Sequence, residues 1–365
     1  MSGIAGDRRG LRMMVGIIAV ILVAGALSLA EAVAAPIAFA FFIIALVWPI
    51  QREAQARMPA VLALLATMII TLIVVTFLAL AIAWGFGRVA RWVIANAAQL
   101  QQLYTQKIDW AESQGIALAG IMSEHFNVRS LVRMAQYVIL QLQSAVSFLA
   151  VTLVFVILGL LEVGGLGRQL GRMGAETPTA SSLLRAGGRT AAKLRSHMMV
   201  RTAMSVATGM VVWAFAYSMG LELAAEWGVI AFALNYIPFM GPLVATLFPT
   251  LFAVLQFGSW HVAVAVFLAL QIIQFLSGSY IEPRLAGARL ALSPFMVLVS
   301  VFLGAFLWGI PGAFIGVPML IAILTTCEEF PGSRWVADLL SGREPPDRDV
   351  CRADAGIRSD PPVRH

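Results

Sequence analysis

The chain has 365 residues, of which 60% are hydrophobic and 12% charged, with a formal net charge of +6. Soluble domains carry charge on about a quarter of their residues, so this composition excludes an ordinary water-soluble enzyme. The positive balance does not argue for nucleic acid either, because the basic residues sit between apolar runs, where membrane orientation accounts for them.

Residues 1–12 are polar and carry Arg8, Arg9 and Arg12; an apolar run, 13–30, follows. With the small residues Ala32-Val33-Ala34 this start imitates a cleaved secretory signal. The apolar core is too long for one, however, and a second run, 32–51, follows at once. Two uncleaved helices joined near Glu31 and Pro36 are expected. A third run, 58–87, is long enough to span a bilayer with tilt. From 88 to 133 the character changes, with Val89, Trp92, Val93, Leu100, Leu103, Ile108 and Leu118 spaced largely by three or four among polar residues. That spacing predicts an extramembrane amphipathic helical segment.

A fourth span is expected over 134–161. It opens onto the most basic stretch, 162–201, which holds Arg168, Arg172, Arg185, Arg189, Lys193, Arg195 and Arg201. Arg185, Arg189 and Lys193 are four apart and fall on one helix face. They suit either anionic lipid or, more simply, a cytoplasmic loop that fixes orientation. The fifth span is 202–221.

Residues 227–281 then contain no Asp, Glu, Lys or Arg in 55 positions, and 290–327 contain none in 38. Each run exceeds the roughly 20 residues that cross a bilayer. Both are interrupted by helix breakers, at Asn235-Tyr236-Ile237-Pro238-Phe239-Met240-Gly241-Pro242 and at Trp308-Gly309-Ile310-Pro311-Gly312. The short charged stretch beginning Glu282-Pro283-Arg284 separates them. Proline removes a donor and clashes with the preceding turn. In lipid the freed groups survive only inside protein or beside a water-filled cavity. Broken helices of this kind build solute sites within membranes.

The expected fold is therefore an all-α polytopic membrane protein. About eight transmembrane helices, some broken or re-entrant, form one domain over 1–330, followed by a disordered tail over 331–365. Eight alternating spans with the N-terminus inside place 18 of the 25 Lys and Arg residues on the cytoplasmic side, with 88–133 and 282–289 outside. Both termini are then cytoplasmic.

Candidate solute-binding residues are Asn235, Pro238, Gly241, Gln271, Gln274, Ser277, Glu282 and Arg284, with Ser279 beside them. Gln271, Gln274 and Ser277 are three apart, which predicts a shared polar helix face. Interhelical hydrogen bonding is the plainer use of such a face. Asn235 is expected to satisfy carbonyls freed by Pro238, and Glu282 to pair with Arg284. Gly241 either lets a ligand approach the main chain or packs against a neighbouring helix, and Gly304, Gly309, Gly312 and Gly316 suit close packing. Cys327 and Cys351 give no disulfide framework, and the scattered histidines give no metal spacing. No cofactor and no metal are expected. An intramembrane enzyme would need a nucleophile or zinc motif; Ser277 or Ser279 with His261 carries no such signature. A non-transporting scaffold would need no broken helices.

Asn235-Tyr236-Ile237-Pro238-x-x-Gly241 with Pro249, then Glu282-Pro283-Arg284-x-x-Gly287-x-x-Leu290-x-Leu292-Ser293-Pro294, then Trp308-Gly309-x-x-Gly312 with Gly316-x-Pro318, resemble the autoinducer-2 exporter family. The resemblance implies an eight-helix transporter of the bacterial inner membrane that forms homo-oligomers, with a pentamer expected. Its substrate would be a small polar solute such as a quorum-sensing signal, with sodium/proton exchange as the alternative. Related sequences often read Asn-x-x-Glu-Gly-Asn before the Glu-Pro-Arg motif. Here Gln274-Phe275-Leu276-Ser277-Gly278-Ser279 stands there, so a hydroxyl replaces an ion-carrying carboxylate.

Overall fold

The structure is a computed structural model that describes residues 3–113, 128–174, 177–286 and 292–340. The described residues form helices and turns, with no strand among them. In chain order the helices are α1 (Gly3–Leu29), α2 (Glu31–Arg57), α3 (Ala60–Ala95), α4 (Ala97–Ser113), α5 (Val128–Gly174) and α6 (Pro178–Ser218). They continue as α7 (Ala224–Leu234), α8 (Met240–Phe257), α9 (Trp260–Phe275), α10 (Glu282–Ala286), α11 (Pro294–Glu329) and α12 (Arg334–Leu340). A π-helical turn, Leu276–Ile281, joins α9 to α10.

Seven of the described helices are long and apolar enough to cross a membrane, and two shorter apolar ones, Met14–Leu29 and Ala224–Leu234, accompany them. Large side chains such as Leu22, Ile73, Phe77 and Leu158 are exposed along α1, α3 and α5, as expected where lipid is the solvent. The protein is an all-α polytopic membrane protein, as its sequence predicts.

The stretch 162–201, expected as a loop, is helical over 162–174 and 178–201. α5 runs on through Gly174 and α6 begins at Pro178, with Thr177 as its extended N-cap. At 1.5 Å per residue the 47 residues of α5 are about 70 Å long, more than twice the hydrocarbon thickness. The helices therefore continue past the membrane as a stalk. Arg185 and Arg189 on α6 pair with Glu329, and Lys193 pairs with Glu328 at 2.7 Å. The basic face thus exists, and it fastens the end of α11. At the opposite end α3 continues to Ala95 and α4 follows, with Leu100 buried. Part of the expected 88–133 segment lies outside the described residues, as does most of the 331–365 tail; α12 gives that tail a short helix.

The two interrupted runs are helical hairpins. In the first, α7 and α8 fold back at residues 235–239, and Trp227 on α7 meets Phe252 on α8 with ring centres 5.4 Å apart. Phe239 has a positive φ of 63°, a conformation a non-glycine residue seldom takes, and it completes the reversal. In the second, α11 contains non-helical angles at Trp308 and Gly309, whose φ is 59° and ψ −139°. Its arms then run antiparallel. A Cβ added to Gly316 would lie 2.4 Å from the Ser300 carbonyl, and one on Gly312 would lie 1.9 Å from the Gly304 carbonyl. Backbone packed this closely requires glycine at the crossing.

The hairpins meet through aromatic rings. Phe314 on α11 stacks on Tyr236 at 5.2 Å and on Phe39 of α2 at 5.8 Å. One apolar core gathers Val212, Trp227, Ala231, Phe252, Val266 and Leu270 from α6 to α9; another gathers Ala35, Phe42, Leu194, Val301 and Ile321 from α2, α6 and α11.

Candidate functional site

α6 places a polar stripe inside the bundle. Arg201, Ser205 and Thr208 follow at intervals of four and three, so they share a helix face, and all three are buried. The first break and the π-helical turn both meet this stripe or the residue beside it. Asn235 Nδ2 donates to Ser205 Oγ at 3.3 Å. Tyr236 donates through its hydroxyl to Thr202 Oγ1 at 2.9 Å. Ser277 and Thr208 share a short hydroxyl hydrogen bond. Arg201 Nη1 donates to both carboxylate oxygens of Glu282, each at 2.6 Å.

Several expectations change here. Glu282 pairs with Arg201, while Arg284 is exposed and lies over the Tyr280 ring at 4.0 Å. Two residues apart on a tight helix, Glu282 and Arg284 point in different directions. Asn235 uses its side chain to reach α6 instead of the carbonyls near Pro238. Those groups are met locally: the Pro238 carbonyl accepts from Met240 N–H at 2.7 Å, and the Ile237 carbonyl accepts from Gly241 N–H at 3.0 Å. Pro238 itself is half-buried. The Gln/Ser face is only partly realised, since Gln274 and Ser277 are buried whereas Gln271 and Ser279 are exposed. The change from α to π winding at Leu276 re-aims the residues beyond it. Gly241 is buried, and a Cβ there would lie 1.9 Å from the Leu234 carbonyl oxygen. Main chain of the same hairpin thus fills the space that a ligand-approach reading requires. Gly287 and Leu290 of the middle motif lie outside the described residues.

Two buried polar atoms at this site have no partner among the described residues, Gln274 Oε1 and Arg201 Nε. An unmade hydrogen bond at a buried donor or acceptor costs roughly 1–3 kcal/mol. Such atoms mark places where a polar solute or water gains by binding. Sequence reasoning did not single out Ser205 and Thr208, and it left Arg201 in the loop. The signal was present: an arginine followed by hydroxyls four and seven positions on, in a run otherwise apolar.

The site also corrects the topology. Glu282 lies against Arg201, so the segment beginning at Glu282 is on the same side as 162–201 and not on the opposite one. The cause is the first hairpin. Gln256 Nε2 donates to the Gly220 carbonyl and the Glu222 N–H donates to Gln256 Oε1, so α8 returns to the end at which α7 began. α7 and α8 together therefore cross no side, and α9 makes the crossing back. Ser277 and His261 lie on opposite halves of that span, about 24 Å apart along the helix, and form no dyad.

A bundle of apolar helices with two internal hairpins and a buried polar stripe where they meet defines a membrane transporter, not a soluble binding protein. Residues 13–332 match the family described as AI-2E family transporter, and the chain belongs to that family. It is 26% identical over 340 residues to the AI-2 transport protein TqsA of Escherichia coli K12, covering 91% of this chain and 96% of that protein. A Haemophilus influenzae protein is 25% identical over 342 residues, covering 91% and 97%. YhhT of Escherichia coli K12 is 31% identical over 164 residues, covering 45% and 47%.

Proposed function

We propose that the protein exports a small polar solute along the path between the α6 stripe and the two breaks at 235–249 and 271–294. A quorum-sensing signal of the kind named for the Escherichia coli relative is the first solute to try. The observation that carries this reading is the convergence of Asn235, Ser277 and Glu282, from separate breaks, on one face of α6. A scaffold has no use for irregular backbone gathered around buried hydroxyls. In purified protein reconstituted into liposomes, efflux of the signal is expected to exceed that of empty vesicles. Ser205→Leu is expected to reduce it about tenfold or more, because bulk and lost polarity fall on the path. Efflux equal in parent and Ser205→Leu proteoliposomes removes this site from the path.

Flux is expected to depend little on a sodium gradient. Ser277 is held by Thr208 and brings no charge to the position where relatives often have a carboxylate. A collapse of flux on removing sodium at constant membrane potential would favour the antiporter alternative.

We also propose that the stalk is cytoplasmic and that the protein assembles as a homo-oligomer in the inner membrane, a pentamer being the form to test by mass measurement. With Arg284 on the stalk side, 14 of the 19 Lys and Arg residues among the described ones lie there, one more than alternating spans give. In a background without Cys327 and Cys351, an impermeant thiol reagent applied to whole cells is expected to label Gln106→Cys and to spare Ser181→Cys. The converse labelling reverses the orientation.

A further inference from the structure

We propose that Arg201 is the recognition group for a solute bearing an oxyanion, a carboxylate or phosphate, and that Glu282 occupies it when no solute is bound. This rests on the transport path described above and names the chemistry of what travels along it. The pairing geometry is the first support. Glu282 takes both of its bonds from the single atom Nη1. A guanidinium offers five donors, and its planar forks match carboxylate and phosphate with two parallel bonds. The Nε edge is not used by Glu282, and Nε is buried with no partner among the described residues.

The second support is the difference between the two partners. The Arg201 side chain is 8% exposed and the Glu282 side chain 21%, so the carboxylate is the member of the pair that solvent reaches more readily. Glu282 also follows directly on the π-helical turn, and its N–H donates to the Ser277 carbonyl to close that turn. Turns of this kind recur at functional sites, where winding changes from one register to another. Arg201 instead sits, buried, within the 41-residue α6. The fixed partner is therefore the cation and the replaceable partner is the carboxylate. An incoming oxyanion restores the charge balance at Arg201 as Glu282 swings out, while Ser205 and Asn235 remain nearby for its hydroxyl or carbonyl groups.

The test measures anion binding without transport. Purified parent, Glu282→Gln and the double variant Arg201→Gln/Glu282→Gln are melted in chloride, acetate and inorganic phosphate at matched ionic strength. Removing the internal competitor is expected to tighten apparent binding of acetate or phosphate roughly tenfold in Glu282→Gln, since the competent fraction of Arg201 rises. The double variant is expected to lose the effect. Glu282→Asp, a carboxylate one methylene shorter, is expected to give an intermediate gain and serves if Glu282→Gln does not purify. Acetate and phosphate affinities in Glu282→Gln equal to the parent's overturn the proposal, and so does a gain that survives loss of Arg201. Efflux by the parent with no anion gain in Glu282→Gln defeats this inference alone. An anion gain without efflux of any solute defeats the transport reading and leaves the anion site standing.

Discussion

Gly312→Ala is expected to prevent recovery of folded protein, although it adds a single methyl group. That methyl would sit 1.9 Å from the Gly304 carbonyl oxygen, and a methyl on Gly304 would sit 2.2 Å from the Gly312 carbonyl. Both obstacles are main chain, so no side-chain rotation relieves them. The arms of α11 have to separate, which also moves Phe314 away from Tyr236 and Trp308 Nε1 away from the Leu27 carbonyl it now meets at 3.0 Å. Overpacking a core typically costs about 1–3 kcal/mol, and a backbone collision belongs at or above the upper limit. Gly25→Ala is the control, since nothing lies within 4 Å of a Cβ there. Size-exclusion profiles of the solubilised proteins check the difference, and a normal, monodisperse Gly312→Ala peak contradicts the hairpin geometry. Gly241→Leu falls under the same reasoning. Its sequence context suggests a stable and silent transporter, whereas the Leu234 carbonyl 1.9 Å away implies that the first hairpin fails to close.

Arg201→Met is expected to destabilise the protein more than Arg201→Met combined with Glu282→Leu. Removing one partner of a buried ion pair leaves the other charge uncompensated, typically at a cost of about 3–5 kcal/mol, while replacing both with apolar groups is often close to neutral. Because Glu282 retains some exposure, the single variant belongs at the lower end of that range. Melting temperatures of the two singles and the double give the coupling as a double-mutant cycle. Additive losses would show that Arg201 and Glu282 are not a pair in solution. Flux is expected to be lost in all three variants, which separates the stability of this contact from its part in transport.

How much of this was legible beforehand follows from which signals are local. Apolar length and its interruptions are written residue by residue, so the membrane, the helical class and both breaks could be read from 227–281 and 290–327. The glycines at 304, 312 and 316 were legible as close-packing positions, whereas Gly309, expected to pack with them, turns the hairpin with φ 59° and has open space at its Cβ. Pairings were not legible. Glu282 had two arginines to choose from; the nearer in sequence, Arg284, went to Tyr280, and the partner came from 81 residues away. Of the Gln271, Gln274 and Ser277 face, Gln274 and Ser277 are buried as spacing by three allows, while Gln271, in the regular α9, is exposed; spacing alone does not say how far along a helix the neighbours reach.

By itself, then, the sequence determined that this protein crosses a membrane, that its helices are broken at 235–242 and 308–312, and that polar side chains lie at or near the breaks. Those are consequences of hydrophobic length and of backbone restrictions at proline and glycine, which act locally. Only the tertiary structure decided that the broken runs fold back as hairpins and that residues beginning at Glu282 share a side with the stalk. It also decided that α6, read from the sequence only as a plain span, supplies the face on which the 235–239 break and the π-helical turn converge. Those outcomes depend on which long-range contacts bury the polar groups that the breaks expose, and no spacing along the chain specifies them.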